Sequence, residues 1–147
     1  MVSALPTTAL AYDSVAEGTE LPEIQTRVRR ADLVRYSGAS GDFNVIHWNE
    51  RAARAAGLPD VIAHGMLTMA IAARIVTDWV RNPGAVVEYA VRFSRPVIVP
   101  DDEDGAELVV SARVAKKLRD HRVRVDIIVR CGADKVLSMA RAVIVLP

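Results

Sequence analysis

The sequence is short of cysteine, of charge imbalance and of long apolar runs, and each shortage removes a class of function. Cys131 is the only cysteine among 147 residues, so no intrachain disulfide can form and no metal site can rest on several thiolates. That composition is compatible with a reducing compartment. Nineteen Lys and Arg face eighteen Asp and Glu, a formal charge of +1, so no broad field favours nucleic acid or an anionic membrane. The longest apolar helix candidate carries Arg74 and Asp78 and is too short to span a bilayer. Met1 to Ala11 places no basic residue ahead of its short apolar run, unlike a secretory leader. A cytoplasmic protein without membrane or nucleic-acid partners is the expectation. With 51% hydrophobic and 25% charged residues, the chain has an ordinary globular balance. No repeat, low-complexity tract or boundary divides it, so residues 1–147 are expected to form one domain.

Residues 1–22 read as a loosely ordered lead-in ending at Gly18 and Pro22. Ile24 to Val28 alternates like a short edge strand. Ala31 to Tyr36 has room for one or two helical turns before Gly38 and Gly41, and Asn49 can cap a helix over Glu50 to Ala56. Ser37 to Trp48 between them reads as a loop. His64 to Val80 is apolar on nearly every face, which marks a helix covered all round. After Asn82-Pro83-Gly84 the period changes to two. Val87, Tyr89, Val91 and Phe93 form one apolar row, Leu108 to Val114 a second and Val123 to Val129 a third, with Val136 to Val145 as a last strand. Such alternation belongs to an antiparallel sheet with one buried face. The expected fold is therefore α+β, a four-stranded meander wrapped around a long central helix.

Two segments bring together groups that can do chemistry. Gly41-Asp42-Phe43-Asn44-Val45-Ile46-His47 sets a carboxylate, an amide and an imidazole on a glycine-flanked loop ahead of a helix. An Asp and a His side by side can divide acid and base roles, or Asp42 and Asn44 can be turn residues and His47 a satisfied imidazole. Spacing alone favours the turn. The second segment is His64-Gly65-Met66 at the head of the apolar helix, where the first N–H groups lack intrahelical partners and carry the positive end of the dipole. Glycine there would let a carbonyl oxygen approach the Gly65 amide, or would merely permit close helix–sheet packing.

Taken together, the two segments resemble the signature of the MaoC-like hot-dog hydratases and dehydratases, a Gly-Asp-x-Asn-Pro-x-His loop followed by a His-Gly-Met helix start. Val15 to Pro22 resembles the family's lead-in and Glu88 to Phe93 its first long strand. The run Ile62 to Met69, with Trp79 and Pro83 to Val86, is similar to the B-subunit branch of actinobacterial (3R)-hydroxyacyl-ACP dehydratases of type II fatty-acid synthase. Val45 stands where the family usually has proline. The resemblance implies interconversion of a (3R)-hydroxyacyl thioester and a trans-2-enoyl thioester, on acyl-ACP or acyl-CoA, with no metal and no cofactor. It implies Asp42 and His47 as the acid–base pair, His47 near C2 and Asp42 near the departing oxygen. Gly65 would be the oxyanion donor, with Asn44 orienting the loop. Read from its position alone, His64 either stands behind the pair or, the plainer reading, is a neutral packing or capping residue. The alternatives are an (R)-specific enoyl-CoA hydratase and a non-catalytic hot-dog partner subunit. A homodimer, or a heterodimer with a sibling hot-dog subunit, is implied as well.

Elsewhere the plainer readings hold. His121 lies in a turn, Cys131 has no activating neighbour in sequence, and Asp101 to Asp104 lacks the ligand spacing of a calcium loop. Met66 and Met69 suit core packing. Arg27, Arg29, Arg30, Arg92 and Arg95 suit a solvated surface, or an acidic carrier and its phosphate.

Overall fold

The computed structural model describes residues 10–147. Residues 1–9 of the expected lead-in lie outside the described residues. Residues 10–22 are not loose: Tyr12–Ser14 form a 3-10 turn, Val15 and Leu21 are buried, and Glu20 bridges to Arg113. The elements that follow are β1 (Ile24–Val28), α1 (Arg30–Ser40), α2 (Glu50–Ala55), α3 (Gly65–Val80), β2 (Val86–Phe93), β3 (Ala106–Lys117), β4 (Arg122–Cys131) and β5 (Asp134–Val145).

The expected helix of one or two turns is longer than its glycines suggested. Asp32 Oδ2 accepts from the Arg29 N–H at 2.9 Å and closes the N-terminus of α1. Gly38 sits inside the helix, and only Gly41, at φ 75°, ends it in a left-handed turn. Asn49 caps α2 as its position implied, its Oδ1 accepting from the Ala52 N–H at 2.9 Å.

The five strands form one antiparallel sheet in the order β1-β3-β4-β5-β2. This overturns the wrapped meander. The strand β2 pairs with β5 rather than with its neighbour in sequence, β3. The edge strands β1 and β2 do not pair with each other, so the sheet stays open and does not close around α3. The fold is α+β and hot-dog-like, with α3 laid on one face of the sheet. Its buried residues are Thr68, Ala72, Ile75, Val76 and Val80, a single stripe at helical spacing. Ile75 and Val76 are 1% exposed, each contributing roughly 1.5–3 kcal/mol by burial. Met66, at 58% exposed, lies on the face of α3 that the described residues leave uncovered, not in the core its residue type suggested.

Strands β3 and β4 turn the expected rows inward: Leu108, Val110, Ala112 and Val114, with Val123, Val125, Ile127 and Val129, are all buried. In β2 the row fails. Register shifts between Val86 and Glu88 and between Ala90 and Arg92 break the two-residue period, so Val87 and Phe93 are exposed. A further bulge in β5 holds Met139 at φ 50°, a conformation that costs a side-chain-bearing residue strain.

Candidate active site

The segment ahead of α3 is held from two sides. The Ala63 N–H donates to Val97 O and the Val99 N–H to Val61 O, each at 2.9 Å, while the Ile62 N–H donates to Ile46 O at 3.2 Å. Residues 61–63 therefore lie between the Val45–His47 turn and the chain at 97–99, and they deliver His64 and Gly65 beside the Asp42 loop.

That loop is closed by its own side chains. Asp42 Oδ1 accepts from the Asn44 N–H at 3.1 Å, and Asn44 Oδ1 accepts from the Ile46 N–H at 3.3 Å, capping the 3-10 turn Val45–His47. Two successive side-chain-to-backbone turns replace the stiffness a proline would have given. Val45 does not open the loop.

The orientation of His47 follows from one main-chain oxygen. Its Nδ1 lies 2.7 Å from the Ile62 carbonyl; a carbonyl only accepts, so Nδ1 carries a hydrogen and Nε2 is the nitrogen left to exchange a proton. Nε2 lies 4.0 Å from Asp42 Oδ2. His47 is 7% exposed, whereas the Asp42 side chain is 52% exposed. A buried base beside an accessible carboxylate can move protons at a boundary between cavity and water.

His64 lies beneath the pair. Its Nε2 is 3.1 Å from the Asp42 carbonyl and 3.3 Å from Ser37 Oγ. Its ring stacks on His47 with centroids 3.8 Å apart and meets Tyr36 edge-on at 4.8 Å. Burial lowers its pKa from the usual 6.5; the nearby His47 lowers it further, against the hydrogen bond to Asp42 and its carboxylate, which raise it. One ligand atom each from Asp42, His47 and His64 lies within 4.8 Å of the others.

Gly65 opens α3 and lines a cavity of about 300 Å³ together with His47, Phe93, Val97, Val136 and Leu137. A Cβ at Gly65 would come within 3.0 Å of Phe93 Cε1, so the glycine keeps the cavity wall thin at the positive end of the helix. A larger hollow, about 770 Å³, lies elsewhere, among Arg113, Asp126 and Arg141. It holds none of the five expected site residues. The cavity beside His47 is the one that joins an apolar wall to reactive groups.

The structure thus brings Asp42, Asn44, His47, His64 and Gly65 to one place. Sequence reasoning missed the Ile62 carbonyl, Ser37, Tyr36 and Phe93. A main-chain oxygen has no signal in sequence, and the other three were read as loop, helix and sheet residues. Among the five arginines, Arg27 pairs with Asp104 and Glu107 and Arg30 with Asp60 at 2.8 Å; Arg95 lines the cavity. Burial raises the Cys131 thiol pKa, with the Asp134 and Glu107 carboxylates adding to it, the opposite of activation.

No helix among the described residues is long and apolar enough to cross a membrane. The MaoC-like domain family matches residues 13–130. A 3-hydroxyacyl-thioester dehydratase X of Mycobacterium tuberculosis is 44% identical over 79 residues, which are 54% of this chain and 27% of that protein. An (R)-specific enoyl-CoA hydratase of Rhodospirillum rubrum is 26% identical over 137 residues, 92% of this chain and 91% of the other. A solved structure described as a MaoC-like dehydratase superposes with a TM-score of 0.91 at 39% identity, covering 95% of this chain and 43% of that one. The chain therefore spans about a quarter of the mycobacterial relative and less than half of the solved one.

Proposed function

The chain belongs to the MaoC-like domain family, and from that premise we propose that it is a hydro-lyase interconverting (3R)-hydroxyacyl and trans-2-enoyl thioesters. The single observation that carries the reading is the contact of His47 Nδ1 with the Ile62 carbonyl. It spends the Nδ1–H on the main chain and leaves Nε2, 4.0 Å from Asp42, as the nitrogen that can exchange a proton. In the dehydration direction Nε2 takes the C2 proton while Asp42, protonated, gives its proton to the departing 3-hydroxyl. Water leaves carrying the Asp42 proton, the C2–C3 double bond forms, and His47 holds the proton taken from C2. Hydration runs the same steps backwards, so the pair holds one proton in either direction. The thioester oxygen gains negative charge as C2 loses its proton. The Gly65 N–H, at the positive end of α3 beside the cavity, would stabilise it.

The names of the relatives divide between dehydratase and hydratase, and the chemistry at C2 and C3 is the same for both. Our first reading is the dehydration step of fatty-acid elongation on acyl-ACP; the mycobacterial relative is named a dehydratase of 3-hydroxyacyl thioesters, with no carrier specified. A CoA-linked hydratase is the second reading, favoured by the full-length match to the R. rubrum enzyme. The assay is hydration of crotonyl-CoA and of crotonyl-ACP by the purified chain, read as loss of the conjugated enone absorbance. Turnover of crotonyl-ACP with a higher kcat/KM than crotonyl-CoA supports the first reading; the reverse order supports the second. No turnover of either thioester refutes both and leaves a non-catalytic partner subunit.

Pairing with a second hot-dog chain, of the same or a sibling sequence, belongs to the same proposal. The open edge at β2 and the uncovered face of α3 with Met66 are surfaces a second subunit would cover. A mass measurement in solution giving a stable monomer of 16.0 kDa refutes the homodimer.

A further inference from the structure

We propose that His64 is a positioning residue for the Asp42–His47 pair, and that it acts only while its imidazole is neutral. The inference rests on reading that pair as the reacting groups.

Three contacts carry it. The Asp42 carbonyl can only accept, so at 3.1 Å the hydrogen lies on His64 Nε2 and is donated to the main chain that bears the Asp42 carboxylate. The His64 ring, 24° from parallel with His47 at a centroid distance of 3.8 Å, is the surface on which the base rests. Tyr36, edge-on at 4.8 Å, holds the ring from α1. One residue thus sets the carboxylate of the pair with its N–H and the imidazole with its face.

The remaining nitrogen makes the case sharper. His64 is 1% exposed, and its Nδ1 is buried with no hydrogen-bond partner. Buried polar atoms left unpaired are uncommon and destabilising. An apolar ring of similar size would avoid that loss and still support His47. It could not donate to Asp42. The imidazole leaves Nδ1 unpaired among the described residues while its Nε2–H serves Asp42.

Neutrality follows from the surroundings. The groups facing His64 are Tyr36 and Ser37 from α1, Asp42 and His47 from the loop, and Thr68 from the next turn of α3, whose hydroxyl approaches the His64 carbonyl at 3.4 Å. A proton on Nδ1 would find no acceptor and would lie at the positive end of α3. It would also set a cation against His47, which must itself carry a proton during each turnover.

The test uses the full chain with His64→Leu and His64→Gln, assayed for crotonyl-CoA hydration. Leucine should lower kcat roughly a hundredfold with KM changed less than about threefold, since a carboxylate misplaced by an ångström suffices for such a loss. Glutamine can still donate an N–H to Asp42 and should recover kcat to within about tenfold of wild type. Wild-type kcat in His64→Leu, or a glutamine variant no better than the leucine one, would overturn the proposal. A second readout is independent of turnover and of how either variant folds. Nitrogen-15 NMR of the wild-type imidazoles at pH 7 should show His64 neutral with its hydrogen on Nε2. A hydrogen on Nδ1, or an imidazolium, overturns the assignment. That spectrum decides whether His64 donates from Nε2 even in a chain that turned over no enoyl thioester, an outcome that would refute the reading of the pair instead.

Discussion

Replacing Gly65 with alanine adds one methyl group to the wall of the cavity where the thioester oxygen is expected. The new Cβ would lie 3.0, 3.2 and 3.3 Å from three atoms of the Phe93 ring, so the ring must retreat by a few tenths of an ångström. Phe93 is 51% exposed and has solvent to move into, which keeps the cost below the 1–3 kcal/mol of ordinary overpacking. Gly65 is the first residue of α3, so alanine regains less than the roughly 0.5–1 kcal/mol it gains over glycine in a helix interior. The two effects oppose, and the net change in stability should stay within about 1 kcal/mol. Activity should respond far more. A methyl group holding the carbonyl oxygen away from the Gly65 N–H removes an oxyanion donor, a loss of about 10²–10³ in kcat. Paired measurements decide it: urea unfolding for stability, and crotonyl-CoA hydration for kcat and KM. Unchanged stability with a large fall in kcat is the expected result. Wild-type kcat in Gly65→Ala would refute the placement of the oxyanion at this amide.

Two further predictions concern the loop and the ring beneath it. Val45→Pro should keep activity and stabilise the chain by about 0.4–1 kcal/mol. Asn44 at φ −55°, ψ 126° already has the extended conformation that precedes proline, and Val45 opens a 3-10 turn whose φ suits it; a lower urea midpoint would contradict this. The second prediction is a pH dependence. The folded pKa of His64 is lowered by burial below its usual 6.5, so the unfolded chain binds a proton first as pH falls. Its contribution to stability is complete above pH 6.5 and is lost as pH drops through 6.5 toward the folded value. Urea midpoints at pH 8 and pH 5.5 should therefore differ more in wild type than in His64→Gln, and equal differences would count against it.

How far the fold could be read from residues varied with the element. The rows in β3 and β4 were legible because a regular strand keeps its period of two. Those in β2 and β5 were not, because bulges at Val86–Glu88, Ala90–Arg92 and Met139 insert residues that no composition marks. The central helix was legible in extent and misread in setting. An apolar surface all round says that a helix will be covered, not whether its own sheet or another chain does the covering. The open order β1-β3-β4-β5-β2 leaves one face of α3 to the second possibility. In α1, Gly38 looked like a stop, yet a single helical glycine is tolerated when neighbouring turns hold.

The site was more legible than its supports. Asp42, Asn44, His47, His64 and Gly65 were all named from two short segments, and the structure places them together. What fixes them is main chain: Ile62 O sets the His47 tautomer and Asp42 O receives His64. Both oxygens depend on how residues 61–63 run between two other segments, which follows from tertiary packing rather than local sequence.

The central claim is that Asp42 and His47 work as one unit on an enoyl thioester. Its most direct test is a double-mutant cycle of Asp42→Asn and His47→Gln, read as kcat/KM for hydration of a crotonyl thioester. Each single variant should lose at least about 10²–10⁴ of the wild-type value. The double variant should be little worse than either, because groups that share one proton fail together. Losses that multiply, or wild-type turnover in either single variant, would contradict the account.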